Sequence, residues 1–444
     1  MDAGTTAIKL LTGGALGDTG SLASAKYLSA GVGLVTSVVA ARLLGPTDFG
    51  LAIVAIGYCE LLSSLTGFKG ASIATHYLSA LAAAGKPEPA AAVFKLSVVA
   101  DLGSGTLASV LALVSVPLLV PWIFPGKPLM ALISTFAISL PFAGFLGTAT
   151  AGLMATGRSR RLAVVTVGER LVTLALVVAA ITGGWGALGY VVARMVGRSA
   201  FGIVMLWEAT RSLGCVGLGQ WWRVPLRRVA PLRSELQAFF GWNYVSVTCT
   251  GILEQLPVVL LGRFGDVSHA GFYGLARNLV NVATYLEATL AQVAYPRLSG
   301  WSASMAAAEA RRLAWRASRQ MGIAAAVGLI LGVLALPTVL PAMLGAGYAP
   351  MVGGAQALLL GAVISATIFW VQPYYYAYGR IRLWTLARIL DTVVVVALML
   401  AVVPPLGWLG LCWLLAVNRG VFHTLMAWLS GRDASACAHV TVHT

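Results

Sequence analysis

Apolar residues in this chain come in long blocks. Twelve of them reach the length of about 20 residues that carries a helix across a bilayer. They run roughly over 27–44, 50–67, 93–116, 129–151, 163–182, 187–208, 238–261, 271–296, 320–342, 352–376, 383–403 and 408–429. The third and eighth have the weakest boundaries, because polar residues intrude, and the alternative count is ten or eleven spans with one re-entrant segment. Between the sixth and seventh blocks lies a basic stretch, Glu208 to Gln237, with Arg211, Arg223, Arg227, Arg228, Arg233, Trp221 and Trp222. It holds no apolar run long enough to span, so it reads as a cytoplasmic linker and hinge.

What stands before the linker is echoed after it. ATGRSRRL at 155–162 returns as AYGRIRLW at 377–384, a shift of 222 positions that also places Glu169 on Asp391. After a slip of one residue, Gly189, Arg198, Phe201 and Trp207 fall on Gly410, Arg419, Phe422 and Trp428. Charges inside apolar segments are too costly to recur at matched depth by accident. The pattern predicts an all-α polytopic membrane protein of twelve transmembrane helices in two pseudo-symmetric six-helix bundles. The expected divisions are 1–208, the linker 209–237, 238–430, and a cytoplasmic tail 431–444.

Composition agrees with that class. Of 444 residues 59% are hydrophobic and 10% charged, with a mean hydropathy of +0.85. A soluble domain carries roughly 25% charged residues. The net charge of +15 could suggest nucleic acid. Its placement in short loops excludes that partner and matches the excess of Lys and Arg on the cytoplasmic side. With the N-terminus inside, inside loops and termini collect twenty-two basic residues, and the outside loops keep only Arg42, Lys127 and Arg263. Both termini are therefore expected in the cytoplasm. The first apolar run starts only near Tyr27 and reads as an uncleaved span rather than a secretory signal.

Two inside loops look like more than turns. WSASMAAAEARRLAWRASR at 301–319 reads as a basic helix lying on the membrane surface, and 69–88 as a weaker version of it. Aromatics in WVQPYYYAYG at 370–379 read as an inner interfacial belt. The five cysteines share no metal-ligand spacing, and no metal or other cofactor is expected. No Walker loop, HExxH or GxSxG motif is present, which leaves transport rather than catalysis.

The candidate chemistry lies in the ionisable residues inside spans. On the eighth span Arg277, Asn278, Asn281, Thr284 and Tyr285 share one face of about 120° at 100° per residue. This stripe reads as the wall of a hydrophilic cavity, or else as a hydrogen-bonded seam between helices. Glu254 lies at similar depth on the seventh span, as a switchable or a permanent partner of Arg277. Glu169 with Arg198, and Asp391 with Arg419, read as duplicated braces within hairpins. Glu60, Asp101 and Glu287 lack an obvious basic partner at matching depth. They are candidates for binding H⁺ or Na⁺, or for gating, against the alternative of neutral hydrogen-bonded acids.

AARLLGPTDFGLAIVA (40–55), LLGRFGDVSHAGFYGLARNL (260–279) and AYPRLS (294–299) resemble the polysaccharide-biosynthesis flippases. These are the Wzx-type flippases of the multidrug/oligosaccharidyl-lipid/polysaccharide (MOP) exporter superfamily. The resemblance runs from about residue 25 to 430. It implies a V-shaped, MATE-like pair of bundles in the bacterial inner membrane that alternates between inward and outward opening. It also implies a polyprenyl-pyrophosphate-linked oligosaccharide as cargo, moved from the cytoplasmic to the outer leaflet, with a polysaccharide polymerase complex as a further partner. A pyrophosphate crossing the bilayer needs fixed cations in a wet cavity, and Arg277, Arg170, Arg194 and Arg198 are available. Two other readings stay open. A cation-coupled drug antiporter of the same fold would have acids dominating the cavity. A non-transporting scaffold of a glycan-export complex would not need charges at matched depth in two halves.

Overall fold

The computed structural model describes residues 16–438 except 69, 79–80, 82–85, 216–217, 219, 282–290, 292–297 and 299–306. Among them every regular element is helical. Chain order is α1 (Leu16–Thr66), α2 (Gly70–Ile73) with a π-helical turn at Ala74–Leu78, α3 (Pro87–Leu118), α4 (Val120–Ile123), α5 (Met130–Ala137), α6 (Leu140–Gly144), α7 (Leu146–Ala155), α8 (Ser159–Thr182) and α9 (Gly186–Gly214). Two 3₁₀ turns, Trp221–Arg223 and Leu226–Leu232, lead to α10 (Arg233–Phe264). Then come α11 (267–281), α12 (Ala307–Leu344), α13 (Met351–Thr367), α14 (Val371–Ala377) and α15 (Ile381–Ala438).

α1 and α15 are each two helices joined at a sharp break. Gly45 has φ 77° and is followed by Pro46, and Gly407 has φ 60° just after Pro404 and Pro405. A left-handed glycine ends the first limb in each case; in α1 proline then starts the next limb at no cost in hydrogen bonding, whereas in α15 the two prolines precede the glycine. Eight described helices are long and apolar enough to cross a membrane, or nine with the bent pair Met130–Ala137 and Leu140–Ala155, which meet at 50°. Splitting α1 and α15 at their glycines gives a helical counterpart to eleven of the twelve expected spans. The remaining one, 271–296, enters as α11 and continues outside the described residues.

By internal contacts the chain forms two compact units, one over Asp18–Gly274 and one starting at Leu275. That boundary differs from the halves 1–208 and 238–430 expected from the repeat. The cause is close packing of α10 and the start of α11 on the second limb of α1. A Cβ added at Gly57 would lie 2.8 Å from Val258 Cγ1, at Gly262 2.7 Å from Val54, and at Gly274 2.8 Å from Ile53. At Gly271 it would lie 3.0 Å from the carbonyl oxygen of Pro46 and 3.2 Å from Gly50. Small residues let helix backbones approach, and in lipid that dispersion contact is a main adhesive. At the C-terminal end of α10 Lys127 Nζ donates to the carbonyls of Gly262 and Gly265, capping the helix from another loop. Asp266 then opens α11, accepting from the Ser268 hydroxyl at 2.9 Å. Burial pushes its carboxyl up, but the Ser268 and Val267 hydrogen bonds outweigh this and hold it below the usual range.

The linker is docked rather than free. Lys95 Nζ on α3 donates to the carbonyls of Trp222 at 2.7 Å and Val224 at 3.0 Å. Arg228 pairs with Glu88 at 2.9 Å, and Trp221 meets Phe94 edge-on at 5.1 Å. Val229 is buried with Ile73, Ala92 and Val93. The linker expected as a hinge is therefore held against the first unit. Nor does the 301–319 stretch form a separate surface helix: its described part, from Ala307, continues into the span as α12 without interruption.

The repeat is visible inside each unit. Gly157 and Gly379 share φ values of 69° and 68°, and Gly186 and Gly407 share 53° and 60°. Arg158 N–H donates to Leu153 O at 3.0 Å, and Arg380 N–H to Tyr375 O at 2.8 Å, closing the same helix-ending turn. Leu153, Leu162 and Met205 sit in the core of the first unit. Their counterparts Tyr375, Trp384 and Met426 sit in the core of the second. The aromatic run at 370–379 consequently does not form an interfacial belt. Trp370, Tyr374 and Tyr375 are fully buried, with the Trp370 indole donating to Ser318 at 2.8 Å and the Tyr375 hydroxyl to Met426 O at 3.0 Å.

Gly57→Ala inserts a methyl into the α1–α10 contact, where overpacking costs about 1–3 kcal/mol. Gly31, also within a helix, has nothing within 4 Å of an added Cβ. Thermal unfolding of the solubilised protein is expected to show a lowered Tm for Gly57→Ala and an unchanged or raised one for Gly31→Ala. Equal Tm shifts would remove close packing as the reason the two helices belong to one unit.

Candidate functional site

Glu60, Glu169, Arg170 and Arg198 of the first unit lie at similar depth on three helices, α1, α8 and α9. In α8 and α9, joined by a tight turn at 183–185, Glu169, Arg170 and Arg198 all lie about 18–20 Å from that turn at 1.5 Å per residue. Glu60, on the second limb of α1, lies at about the same depth. Arg198 grips Glu60 with both terminal nitrogens, NH2 reaching Oε2 at 3.3 Å. Its guanidinium stands 5.7 Å above the Phe136 ring of α5, and next to Glu60 the Cys59 thiol donates to the Ile133 carbonyl at 3.6 Å. Two parallel N–H···O bonds to one carboxylate form a strong, oriented contact.

Glu169 accepts from the Thr173 hydroxyl at 3.0 Å and faces Arg170 Nε at 3.3 Å. Thr173 in turn lies against Gly197, one position before Arg198, and Arg170 passes 3.8 Å from where a Cβ would stand on Gly33 of α1. Glu169 with Thr173 and Arg170, and Arg198 with Glu60, are thus two pairings at similar depth, brought near each other by the packing of Thr173 on Gly197. Arg194, one turn from Arg198 on α9, is half-buried and makes no hydrogen bond or ion pair among the described residues.

This arrangement corrects both braces expected from the repeat. Arg198 takes Glu60, which is 138 positions away, and leaves Glu169 to Thr173 and Arg170. Asp391 takes Arg388 at 3.0 Å and a hydrogen bond from Asn418, rather than Arg419. Arg388 also lies 3.9 Å above the Phe422 ring and 5.5 Å from that of Trp384, which fixes its direction toward Asp391. Glu60, expected to lack a basic partner, has one. Asp101 is buried, 4% exposed, and braces three segments: it accepts from Gly70 N–H at 2.8 Å and from the Thr148 hydroxyl at 2.5 Å.

Arg277, Asn278 and Asn281 are half-buried on α11, and each already has a partner. Glu254 is an exposed residue of α10 that also has a partner. Arg277 and Glu254 fall in different units. Tyr285 and Glu287 lie outside the described residues. Sequence reasoning misses the Glu60–Arg198 pair. Matching depth across non-adjacent helices is the signal that could find it.

Glu60 and Arg198 are only partly buried, but removing one leaves the other charge inside an apolar span, at a cost of at least about 2.5–3.5 kcal/mol. Glu60→Gln and Arg198→Gln are each expected to lower protein abundance strongly, and the double substitution to recover most of it. Glu169→Gln is expected to be milder, because Thr173 can still donate to the amide oxygen. A double variant no more abundant than either single would show that the pair does not act as a unit.

The family described as Polysaccharide biosynthesis protein matches residues 15–301, more than half of the chain. No curated protein sequence matches it. Among solved structures, the lipid II flippase MurJ in its inward closed conformation superposes with a TM-score of 0.67 at 13% identity, over 93% of this chain and 87% of that one. An inward-facing multidrug resistance MATE family transporter of the MOP superfamily gives 0.65 at 14% identity, over 94% of both chains. A MOP superfamily transporter from Pyrococcus furiosus gives 0.64 at 14% identity, over 97% of this chain and 98% of that one. At these identities the likeness establishes the fold alone, the one these transporters share.

Proposed function

The chain belongs to the polysaccharide biosynthesis protein family, and from that premise we propose that it is a flippase. Its cargo in this reading is polyprenyl-pyrophosphate-linked oligosaccharide, moved from the cytoplasmic to the outer leaflet of a bacterial inner membrane. Both termini are cytoplasmic, and two six-helix halves alternate between inward and outward access. Either H⁺ or Na⁺ is the coupling ion, and a polysaccharide polymerase complex takes the product.

The observation that carries this reading is Arg194. A guanidinium within a membrane span costs at least about 2.5–3.5 kcal/mol, and such residues pair with one another or face water. Glu60 satisfies Arg198 and Glu169 shares Arg170, so the cluster holds three cations against two carboxylates. The surplus positive charge suits a diphosphate that must leave water without neutralising itself. It does not suit a cationic drug, for which an excess of acid is needed. The polyprenyl tail stays in the lipid while the headgroup meets Arg194 and Arg170. Arg277, with Asn278, Asn281 and Tyr285, supplies a second polar surface on the eighth span.

Deleting the gene is expected to trap lipid-linked oligosaccharide on the cytoplasmic side and remove one surface polysaccharide. Restoring it with Arg194→Gln is expected to recover less than about a tenth of export at normal protein abundance. Arg194→Lys should recover an intermediate amount, since an ammonium lacks the planar fork that meets phosphate oxygens two at a time. Normal surface glycan in the deletion strain, together with new sensitivity to cationic drugs, would replace this reading with the antiporter.

A further inference from the structure

The clamp formed by the linker has two sides, and one of them is saturated. Toward the protein, Lys95 and Glu88 hold it, and Trp221 and Val229 are packed inward. Away from the protein, Trp222 is 49% and Leu226 41% exposed, and Arg223, Arg227 and Arg228 are exposed around them. An indole and a leucine side chain among guanidiniums fit neither bulk water nor hydrocarbon. The layer that accommodates both is the headgroup boundary, where apolar bodies sink and cationic ends reach phosphate.

The depth of that boundary is fixed independently. Trp207, near the inner end of α9, is 56% exposed, and the Arg211 guanidinium one turn further in stands 5.3 Å over its ring. The Trp221 indole donates to the hydroxyl of Thr210, the residue next to Arg211, at 3.2 Å. The linker is thereby tied to α9 at the level where the tryptophan–arginine pair marks the inner interface. Arg228 is committed to Glu88, which leaves Arg223 and Arg227 as the outward cations.

We propose that residues 222–227 form a docking surface for anionic phospholipid headgroups of the inner leaflet. In this arrangement Trp222 and Leu226 enter the acyl boundary, and Arg223 and Arg227 meet the phosphates. Charge complementarity with an anionic leaflet and the interfacial depth select lipid over an acidic protein, which would need no exposed indole at membrane level. Each basic residue close to an anionic surface strengthens binding by roughly five-fold. The inference does not depend on what the protein carries.

The full chain can be reconstituted in phosphatidylcholine vesicles containing phosphatidylglycerol, with brominated acyl chains on one lipid or the other as tryptophan quenchers. The Trp222 signal is the difference between wild type and Trp222→Phe. It is expected to be quenched several-fold more by brominated phosphatidylglycerol than by brominated phosphatidylcholine at equal bromine. The Arg223→Gln/Arg227→Gln variant should keep the signal while losing the preference, as should wild type at high salt. Trp222 fluorescence untouched by either bromolipid would overturn the proposal and point to a protein partner. Equal quenching by both in wild type would overturn the anionic selectivity. Should Trp222→Phe fail to fold, total quenching of wild type against the double arginine variant reads the same preference.

Discussion

A charge placed in hydrocarbon must find an opposite charge, a hydrogen-bonding partner or water, and much of this fold answers that demand. α9 brings Arg198 into the membrane, and Glu60 on another helix meets it with both carboxylate oxygens. The pair ties the second limb of α1 to α9, and through Phe136 to α5, across a sequence gap of 138 positions. Asp101 does the same for α3, α2 and α7 with a backbone N–H and a hydroxyl in place of a cation. In both cases one polar group organises several helices, because leaving it unpartnered costs more than the entropy of holding them together. Lipid gives helices no hydrophobic reason to associate. What remains is polar pairing of this kind and close backbone approach.

Close approach accounts for the second structural decision, the assignment of α10 and the start of α11 to the first unit. Gly57, Gly262, Gly271 and Gly274 remove the side chains that would keep α1 at ordinary distance from these helices. The Tyr244 hydroxyl of α10 adds a directional bond to this connection, donating to the Leu65 carbonyl of α1 at 2.6 Å. Polar braces such as Glu60–Arg198 and Asp101 and close apolar approach thus act together inside one compact unit.

Eleven of the spans are readable because bilayer thickness sets a length that composition alone reveals. The breaks at Gly45 and Gly407 are readable too, since glycine beside proline says where a helix stops. The partners of the charges are not. Depth along a helix follows from counting residues, but the direction of a side chain depends on which helices are neighbours, and a lone sequence supplies that only within a hairpin. Sequence therefore assigns Arg198 to Glu169, the acid within its own hairpin, when the true partner is on α1. The packing of the linker is unreadable for the same reason: its hold comes from Phe94, Lys95 and Glu88, more than a hundred residues earlier. The aromatic run at 370–379 has the composition of an interfacial belt, and only its neighbours in the core show that it is buried.

The repeat shows which features of a duplicated membrane protein are constrained and which drift. Positive-φ glycines are retained at matched places, Gly157 with Gly379 and Gly186 with Gly407, because a turn of that shape excludes a Cβ. Core positions are retained in place but not in kind, as Leu153 against Tyr375 and Leu162 against Trp384 show, since volume can be redistributed among neighbours. Glu169 with Asp391, and Arg198 with Arg419, keep their positions but not their partners, whereas Arg170 falls on Thr392 and Arg388 on Thr166. Where the first unit has Gly197 with Thr173 lying against it, the second has Asn418 reaching Asp391. Arg198 answers Glu60, while the acid of the second unit is answered by Arg388 from its own helix. Each half meets the same electrostatic requirement by a different pairing. Recurrence in the sequence therefore identifies the depth at which charge is needed, and the structure alone identifies what neutralises it. Arg194 falls on Leu415 in the register that places Arg198 on Arg419. Its place in the second unit is apolar, so the repeat does not require it as a brace.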